Sequence, residues 1–305
     1  MLLDDFRFLL RGSLNRRESI ANRGRQLLAQ TWYRAFGVGP RVFANSIPKS
    51  GTHLLLRCLD LLPGLTRSGY FISHIHHHNR LQDVRDRQAQ LRRVGAGCFV
   101  GAHMPYTPEN ARLLAEMAYK HVLIIRDPRD VVVSHFHHIQ KRKVNRLHDY
   151  LASLPDDEAR LMALIEGVPD AAVTGGVGQP GIAQEFQRFV AWQQAGTHVI
   201  RFEDLIGAAG GGTAARQLAA LADLTAFLGL SLDELTLQAV AQQLFYRQAN
   251  TFRKGAIGDW RNYLSAAQRQ AVQRELEPLL AAYGYERDGA ELFVVAAPFA
   301  PKEDA

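Results

Sequence analysis

Residues 41–62 read RVFANSIPKSGTHLLLRCLDLL, and this stretch decides the fold. Residues 41–47 form a short, mostly apolar run that predicts a buried strand, and residues 52–62 carry apolar side chains on most faces of a predicted helix. Between them, IPKSGT is a turn from strand to helix. Free backbone N–H groups at the beginning of a helix favour anions, so the turn is a candidate phosphate site.

Each residue of this turn suits an anion. Gly51 allows close approach of the backbone, Ser50 and Thr52 supply hydroxyl donors, and Lys49 supplies a positive charge. The phosphate loop of nucleoside triphosphatases, GxxxxGK[ST], has its lysine after the last glycine. Here Lys49 precedes Gly51, so the turn indicates a ligand other than ATP with magnesium.

Strands and helices alternate along the rest of the first two thirds. Further strands are predicted at residues 98–102, 121–125 and 197–202, and helices at 111–118 and 130–139. This alternation predicts an α/β fold with three layers, in which helices flank a central parallel sheet. Residues 214–283 are helical in composition and are interrupted by the polar run TFRKGAIGDW.

The chain divides into three predicted parts: a basic helical arm (1–40), one domain (41–296) and a flexible tail (297–305). The arm holds seven arginines against three acidic residues, so it is either a packing helix with a solvated arginine face or a peripheral membrane contact. Within the domain, residues 167–181 are long enough for an active-site lid. The glycine-rich residues 207–212 are expected to be a surface insertion.

Composition narrows the functional classes. The chain has 305 residues, 47% hydrophobic and 22% charged, with net charge +6, as in an ordinary globular protein. We expect no membrane span and no signal peptide, and hence a cytoplasmic protein. Cys58 and Cys98 lie in apolar surroundings and are expected to be buried thiols. No nucleic-acid-binding motif occurs, and a small polyanionic ligand accounts for the basic charge.

Two further segments favour anion binding. Arg126 ends the strand HVLII, and an arginine at the carboxyl end of a parallel strand faces the ligand crevice. Its alternative role is an ion pair with Asp127 or Asp130. Residues 252–260, FRKGAIGDW, place two cations and two glycines in a helical region, where glycine costs about 1 kcal/mol, so a loop around an anion explains them better.

Together, PKSGT, RDPRDVVVSH and FRKGAIGDW resemble in order and spacing the signature of the cytosolic-type sulfotransferases, over residues 41–260. The resemblance implies a P-loop-like α/β fold and the donor 3′-phosphoadenosine 5′-phosphosulfate (PAPS), with no metal. It implies two groups of donor-binding residues. The 5′-phosphosulfate is expected on Lys49, Ser50, Gly51, Thr52 and His53, and the 3′-phosphate on Arg126, Ser134, Arg253, Lys254 and Gly255.

The family's catalytic histidine corresponds to His103 in GAHMP. The resemblance implies in-line transfer of a sulfuryl group to an acceptor hydroxyl or amine, with His103 as general base. Lys49 would stabilise the charge on the departing phosphate oxygen. This chemistry is plausible because an imidazole with a pKa of about 6.5 can accept a proton near neutral pH.

The chain departs from the family at three places. Gly101 stands where the family often has a lysine, so one contact to the sulfuryl group is missing or comes from another cation. Leu54 replaces a tryptophan that stacks on adenine, which leaves that role to Phe245 or, as a weaker candidate, to Phe202. The dimerisation pattern of animal members is degraded in RNYLSAAQRQ, so no oligomeric state is predicted.

Other patterns leave alternatives open. Two interpretations are open for the histidine cluster His74, His76, His77 and His78. A polar loop near the acceptor entrance is favoured over a metal site. Residues 141–146, KRKVNR, are a solvated helix face or attract an anionic or membrane-bound acceptor. Tyr70, Phe71, Tyr106 and Phe136 are candidates for the acceptor pocket or for the core. The alternative functions are a nucleotide kinase and a non-catalytic nucleotide-binding protein of the same fold.

Overall fold

A five-stranded parallel sheet forms the centre of the molecule, in the order β2-β3-β1-β4-β7. Its strands are β1 (Arg41–Ser46), β2 (Thr66–Ser73), β3 (Cys98–His103), β4 (Tyr119–Ile125) and β7 (His198–Arg201). The computed structural model describes residues 38–73, 84–245 and 255–285. The predicted tail of residues 297–305 and all but the last three residues of the predicted arm lie outside them.

Helices cover both faces of the sheet. They are α1 (Thr52–Leu61), α2 (Val84–Arg92), α3 (Pro108–Glu116), α4 (Pro128–Lys141), α5 (His148–Ser153), α6 (Asp157–Glu166), α7 (Ile182–Val190), α8 (Phe202–Leu205), α9 (Ala214–Leu228), α10 (Glu234–Leu244) and α11 (Ala266–Ala282). Strands β5 (Gly167–Val168) and β6 (Gln179–Pro180) form a separate antiparallel pair. The prediction of a three-layer α/β fold is confirmed.

Alternation along β1 creates two hydrophobic cores. Phe43 and Ile47 pack with α3, α4, α6, α7 and α11 on one face, whereas Val42 and Ala44 pack with α1, α9 and α10 on the other. All four side chains are fully buried. Both faces of the sheet are therefore covered, as the continuous apolar strands predicted.

Because all five strands are parallel, their carboxyl ends meet at one edge of the sheet. Asn45 of β1 is level with Ala102 of β3, and Ser46 is level with Ile124 of β4. The residues that follow β1, β3 and β4 therefore come together. These are the phosphate-loop candidate, the turn after His103 and the segment that begins at Arg126.

Sequence reasoning missed one strand of the sheet. The edge strand β2 reads TRSGYFIS, with polar residues and a glycine, and its register with β3 shifts between Arg67 and Phe71. Neither a continuous apolar run nor a clean alternation marks it. The predicted strands and helices are otherwise found with bounds shifted by a few residues.

Two loop predictions are corrected by the structure. Residues 167–181 contain both strands of the β5–β6 pair, and Arg146 donates hydrogen bonds to Val177 O and Gly178 O, both with a length of 2.9 Å. None of them lines the large cavity described below, so the lid prediction is wrong. Residues 207–212 are not a free surface insertion, because a Cβ on Gly210 would lie 2.9 Å from Gly255 O.

Both cysteines are buried and neither forms a disulfide, as predicted. Burial raises the pKa of Cys58 to about 12, so this thiol stays protonated. In the described part of the chain, no helix has both the length and the apolar character needed to cross a bilayer.

Candidate active site

The turn after β1 is held in shape by Ser50. Its hydroxyl donates to Ile47 O at 2.7 Å and to Ile124 O at 2.8 Å, and the side chain is fully buried. The hydroxyl is therefore used within the protein, and its contact with an anion stays a prediction. Ser50 ties the turn to β4, while Lys49, Gly51, Thr52 and His53 line a cavity of about 510 Å³.

The backbone of the turn adopts the left-handed conformation twice, with φ 75° at Lys49 and 112° at Gly51. A Cβ on Gly51 would lie 2.7 Å from Cδ2 of Phe202 and 3.1 Å from Cδ1 of Ile124. Only glycine satisfies both the conformation and the packing at this position. The turn therefore brings backbone N–H groups at the beginning of α1 to the cavity wall.

Lys49 is a lysine in a largely dehydrated and positively charged setting. Burial, followed by the charges of Arg142 and Arg126, lowers its pKa from 10.5 to about 8. No carboxylate of the described residues lines the cavity. The positive charge at this site is not balanced by a described carboxylate, so the site favours an anionic ligand, which would neutralise that charge.

His103 lies at the end of β3 and lines the same cavity. Its Nδ1 is 2.8 Å from Ser46 O and 3.1 Å from Ser46 Oγ. A carbonyl oxygen only accepts hydrogen bonds, so this contact places the ring proton on Nδ1 and the lone pair on Nε2. The ring of Phe71 meets the imidazole edge-on, with centroids 5.0 Å apart.

A buried polar pair of β1 positions the turn that carries His103. Asn45 Oδ1 accepts from Ser46 N at 3.0 Å and from Met104 N at 2.9 Å, and Asn45 Nδ2 donates to Met104 O at 2.8 Å. The hydroxyl of Ser46 is also 2.8 Å from Thr52 Oγ1. His103 and the first residue of α1 are thereby linked through one serine.

The space beside Gly101 is filled by neighbouring side chains. A Cβ at this position would lie 2.8 Å from Cδ2 of Phe71 and 3.1 Å from Cδ2 of Leu56. Phe71 thus fills the space that a side chain at position 101 would need. Arg67, which forms an ion pair with Asp60, also lines the cavity.

Arg126 combines both of its predicted roles. Its Nη2 forms an ion pair with Asp130 at 3.4 Å and donates to Ala256 O at 2.7 Å, while its guanidinium lies 4.4 Å from the ring centroid of Phe202. Its Nε is buried and has no hydrogen-bond partner among the described residues. This donor is left for a ligand in the cavity that Arg126 lines.

Asp130 fastens the GDW sequence to the site. Its two carboxylate oxygens accept from Gly258 N at 2.8 Å and Trp260 N at 3.0 Å. Burial raises the pKa of Asp130, against the opposing effect of Arg126. Trp260 is buried between two guanidiniums, with Arg129 at 4.1 Å and Arg261 at 4.4 Å from its ring centroid.

The structure brings most of the predicted site residues to one cavity. Besides those above, the predicted Ser134, Gly255 and Phe245 line it, together with Phe202, Leu54 and Ile206. Arg253, Lys254 and the His74–His78 cluster lie outside the described residues. Among the described residues, no three His, Cys, Asp or Glu side chains converge as they would around a metal ion.

Sequence reasoning missed or left open several lining residues. His135 and His138 both face the cavity, and burial, followed by the charge of Lys49, lowers their pKa to about 3 and about 4. Both rings are therefore neutral at pH 7. Arg57 and Asn145 also line the cavity, and the signal for Arg57 was its position one turn after His53 on α1.

Only one of the four candidate aromatic residues lines the cavity. Phe71 does so, whereas Phe136 is buried in the core. Tyr106 meets Trp192 edge-on with centroids 5.3 Å apart, and Tyr70 packs against the core at its edge. Spacing along the sequence does not distinguish these environments.

Comparisons with known proteins agree with this arrangement. A family model described as "Sulfotransferase domain" matches residues 40–284. Mouse sulfotransferase SULT7A1 complexed with PAP has a TM-score of 0.55 and 18% sequence identity, over 83% of this chain and 89% of that one. Retinol dehydratase in complex with androsterone and the inactive cofactor PAP has a TM-score of 0.55 and 17% sequence identity, over 84% of this chain and 85% of that one.

Retinol dehydratase in complex with retinol and PAP also has a similar fold, with a TM-score of 0.53 and 16% identity over 84% of this chain and 86% of that one. A comparison with curated proteins gives no match. The sequence motifs, the parallel sheet and the family match agree, and the match spans most of the chain. The chain belongs to the sulfotransferase domain family.

Proposed function

We propose that the protein transfers a sulfuryl group from PAPS to a hydroxyl or amine of an acceptor. The observation that carries the proposal is the convergence of Lys49, His103 and Arg126 on one cavity that no described carboxylate lines. PAP in the similar solved structures supports the same donor.

The described residues fit such a donor. The backbone at Gly51 and the hydroxyl of Thr52 are suited to the 5′-phosphosulfate, and Lys49 adds its charge. The buried Nε of Arg126, which has no described partner, and the hydroxyl of Ser134 are suited to the 3′-phosphate. Phe245, Phe202 and Leu54 offer an apolar surface for the adenine. Arg253, Lys254 and Gly255 are proposed to complete the 3′-phosphate site.

His103 is the proposed general base. Nε2 carries the lone pair because Nδ1–H donates to Ser46 O, so Nε2 takes the proton of the acceptor hydroxyl as the new S–O bond forms. Lys49 stabilises the charge on the phosphate oxygen as the old S–O bond breaks. PAPS, when bound, supplies the sulfuryl group and leaves as adenosine 3′,5′-bisphosphate (PAP). The remaining residues position the two reactants for in-line transfer.

Thermal shift with two matched nucleotides tests the donor. PAP and ADP both carry two phosphate groups on adenosine, but only PAP has a 3′-phosphate. We expect PAP to raise the Tm several degrees more than ADP at equal concentration. Equal stabilisation by the two nucleotides would rule out PAPS as the donor.

Labelled PAPS with a panel of phenols, glycans and lipids then tests the transfer itself. Incorporation of label into any acceptor supports the reaction, and its loss in His103→Ala supports the general base. Tight PAP binding without transfer to any of them would favour the non-catalytic alternative.

A further inference from the structure

One face of α4 contributes to the cavity wall. Ser134, His138 and Arg142 are spaced four residues apart, so their side chains lie on the same side of the helix. Ser134 and His138 line the cavity. At 1.5 Å per residue, Arg142 is about 12 Å along the helix axis from Ser134. The stripe therefore begins at the proposed 3′-phosphate contact Ser134 and ends at Arg142.

Arg142 does not itself line the cavity, but it lies between His138 and Asn145, which do, and its side chain has no partner among the described residues. It caps the end of α4, and the turn Asn145 N→Arg142 O, 2.8 Å long, brings Asn145 back to the cavity wall. Arg142 is exposed, and within residues 38–73, 84–245 and 255–285 its guanidinium makes no hydrogen bond or ion pair. Its neighbours Lys141 and Lys143 are also exposed.

The charge of Arg142 reaches the reacting end of the cavity. It lowers the pKa of Lys49, of His53 and of His138, in each case as a contribution smaller than burial. All three residues line the cavity. Arg142 is therefore close enough to Lys49 and His138 to interact with a molecule bound between them.

The donor does not account for this cation. The proposed 3′-phosphate site at Arg126 precedes α4, whereas Arg142 follows its last residue, and the fourteen residues of the helix separate them by about 20 Å. Lys49 lies between these ends and serves the phosphosulfate. The charge of Arg142 is thus at the opposite end of α4 from the proposed 3′-phosphate contact at Arg126.

We propose that the acceptor carries an anionic group, a carboxylate, phosphate or sulfate, beside the hydroxyl that is sulfated, and that Arg142 binds this group. The proposal rests on the sulfuryl transfer proposed above. His138, neutral at pH 7, and Asn145 offer hydrogen bonds between Arg142 and the reacting centre. Arg142 is accordingly a specificity-determining residue.

Three phenols of nearly equal size and different charge test the proposal: 4-hydroxyphenylacetate, 4-hydroxyphenylacetamide and tyramine. Their binding to the PAP-saturated protein is measured by calorimetry, and their kcat/KM is measured with PAPS. We expect the anion to bind about tenfold more tightly than the amide, and tyramine to bind most weakly. Arg142→Gln should remove this preference. Lys143→Gln, which removes the same charge next to it, should retain it.

The outcomes separate the two proposals. If PAP binds but the anion binds no better than the amide, the anionic acceptor is overturned and the transfer reaction stands. If Arg142→Gln and Lys143→Gln reduce the preference for the anion equally, the anionic acceptor site is overturned as well. Such a result would indicate a general electrostatic effect of the basic surface rather than binding by Arg142. Failure of PAP to bind counts against the proposed function itself.

A second arm distinguishes a soluble anion from a lipid headgroup. Glycerol 1-phosphate and vesicles of phosphatidylglycerol present the same phosphate and hydroxyl chemistry, and phosphatidylcholine vesicles are the control. Arg142-dependent binding to glycerol 1-phosphate supports a soluble acceptor, and such binding to phosphatidylglycerol vesicles alone supports a lipid. Binding to neither, or binding that Arg142→Gln does not weaken, counts against the proposal.

Discussion

The Nδ1 atom of His103 lies 2.8 Å from the carbonyl oxygen of Ser46, across the boundary between β3 and β1. The proton of the imidazole is therefore fixed by a backbone atom. The neighbouring Asn45 clamps the backbone on the other side of His103 through Met104. The proposed general base thus depends on two buried polar residues of a neighbouring strand.

Asn45→Ala tests this clamp. The N–H groups of Ser46 and Met104 lose their acceptor, whereas Met104 O still receives the indole N–H of Trp192. Two buried unsatisfied donors should lower the free energy of unfolding by about 2–4 kcal/mol. We also expect kcat to fall about tenfold with little change in the Kd of PAP, because His103 loses its orientation.

Asn110→Ala is the control for Asn45→Ala. Asn110 is also buried, and its side chain donates to Pro105 O at 3.2 Å, but it makes no hydrogen bond to Ser46 or Met104, the two residues that Asn45 holds. Its loss should lower stability and leave kcat nearly unchanged. Equal effects of the two variants on kcat would assign Asn45 a purely structural role.

His103→Ala should abolish turnover, with a loss of at least about a hundredfold, because no positioned base accepts the acceptor proton. The Kd of PAP should stay within a few-fold, since the proposed nucleotide site is built from other residues. His198→Ala, which removes a ring stacked on Phe227 5.0 Å away and outside the cavity, is the control. Turnover at the wild-type rate would exclude His103 from the mechanism.

The lowered pKa of Lys49 predicts that nucleotide binding is accompanied by proton uptake. Its pKa is lowered to about 8 in the free protein, and a bound anion raises it again. Below pH 8 the lysine is already charged, so no proton is taken up. Above pH 8 binding requires a proton, and affinity should fall by up to about tenfold per pH unit. Calorimetry of PAP binding in buffers of different ionisation enthalpy measures the uptake.

Two charge variants check this assignment. Arg142→Gln removes a charge that lowers the pKa of Lys49, so the uptake should begin at higher pH. Lys143→Gln should leave the onset unchanged. An uptake that persists in Lys49→Met would show that another group takes the proton.

The raised pKa of Glu203 predicts that the stability of the fold depends on pH. Burial raises its pKa from 4.5 to about 7, and its oxygens accept from Asp127 N at 2.9 Å and from the Tyr285 hydroxyl at 3.1 Å. The folded state binds this proton up to a higher pH than the unfolded state does, so the contribution of Glu203 to the free energy of unfolding is complete below pH 4.5. It is lost as the pH rises to about 7.

Glu203→Gln should flatten this part of the stability curve. The loss in the wild type amounts to about 3 kcal/mol at most, measured by urea unfolding at a series of pH values. Tyr285→Phe removes one hydrogen bond to Glu203 and keeps the carboxyl group, so its curve should still fall over the same range. The same slope in Glu203→Gln and wild type would assign the pH dependence to another residue.

Gly101→Ala should destabilise the protein by about 1–3 kcal/mol, because the added methyl group overlaps the ring of Phe71. Phe71→Leu relieves this contact, so the double variant should be more stable than the sum of the two single changes predicts. Thermal unfolding of the four proteins gives the coupling. Strict additivity would mean that Phe71 does not occupy the space at Gly101.

The sequence predicts the parts of the site that have strong local chemistry. The turn after β1 is marked by its apolar strand and by Lys49 and Gly51, and Arg126 is marked by the apolar strand that it ends. These signals depend only on residues that are neighbours along the chain and not on contacts between distant segments. The family match then agrees with the resemblance on which the roles of these residues depend.

The missed features depend on contacts between distant segments. Asn45 and Ser46 look like two polar residues at a strand end, although both are fully buried and bonded to the His103 turn. The sequence predicts that the Ser50 hydroxyl binds the anion, but it does not predict that this hydroxyl also reaches Ile124 O on another strand. The partner of a buried polar group is set by tertiary structure, which local sequence does not encode.

The carboxylate of Asp130 has a consequence for the integrity of the whole chain. It holds two amides of the C-terminal third and also pairs with Arg126. A chain truncated before Gly258 would leave this buried acid without those two donors, and Arg126 would lose the carbonyl of Ala256 if the cut fell before that residue. The proposed nucleotide site and the packing of the C-terminal third are thus joined in a single carboxyl group.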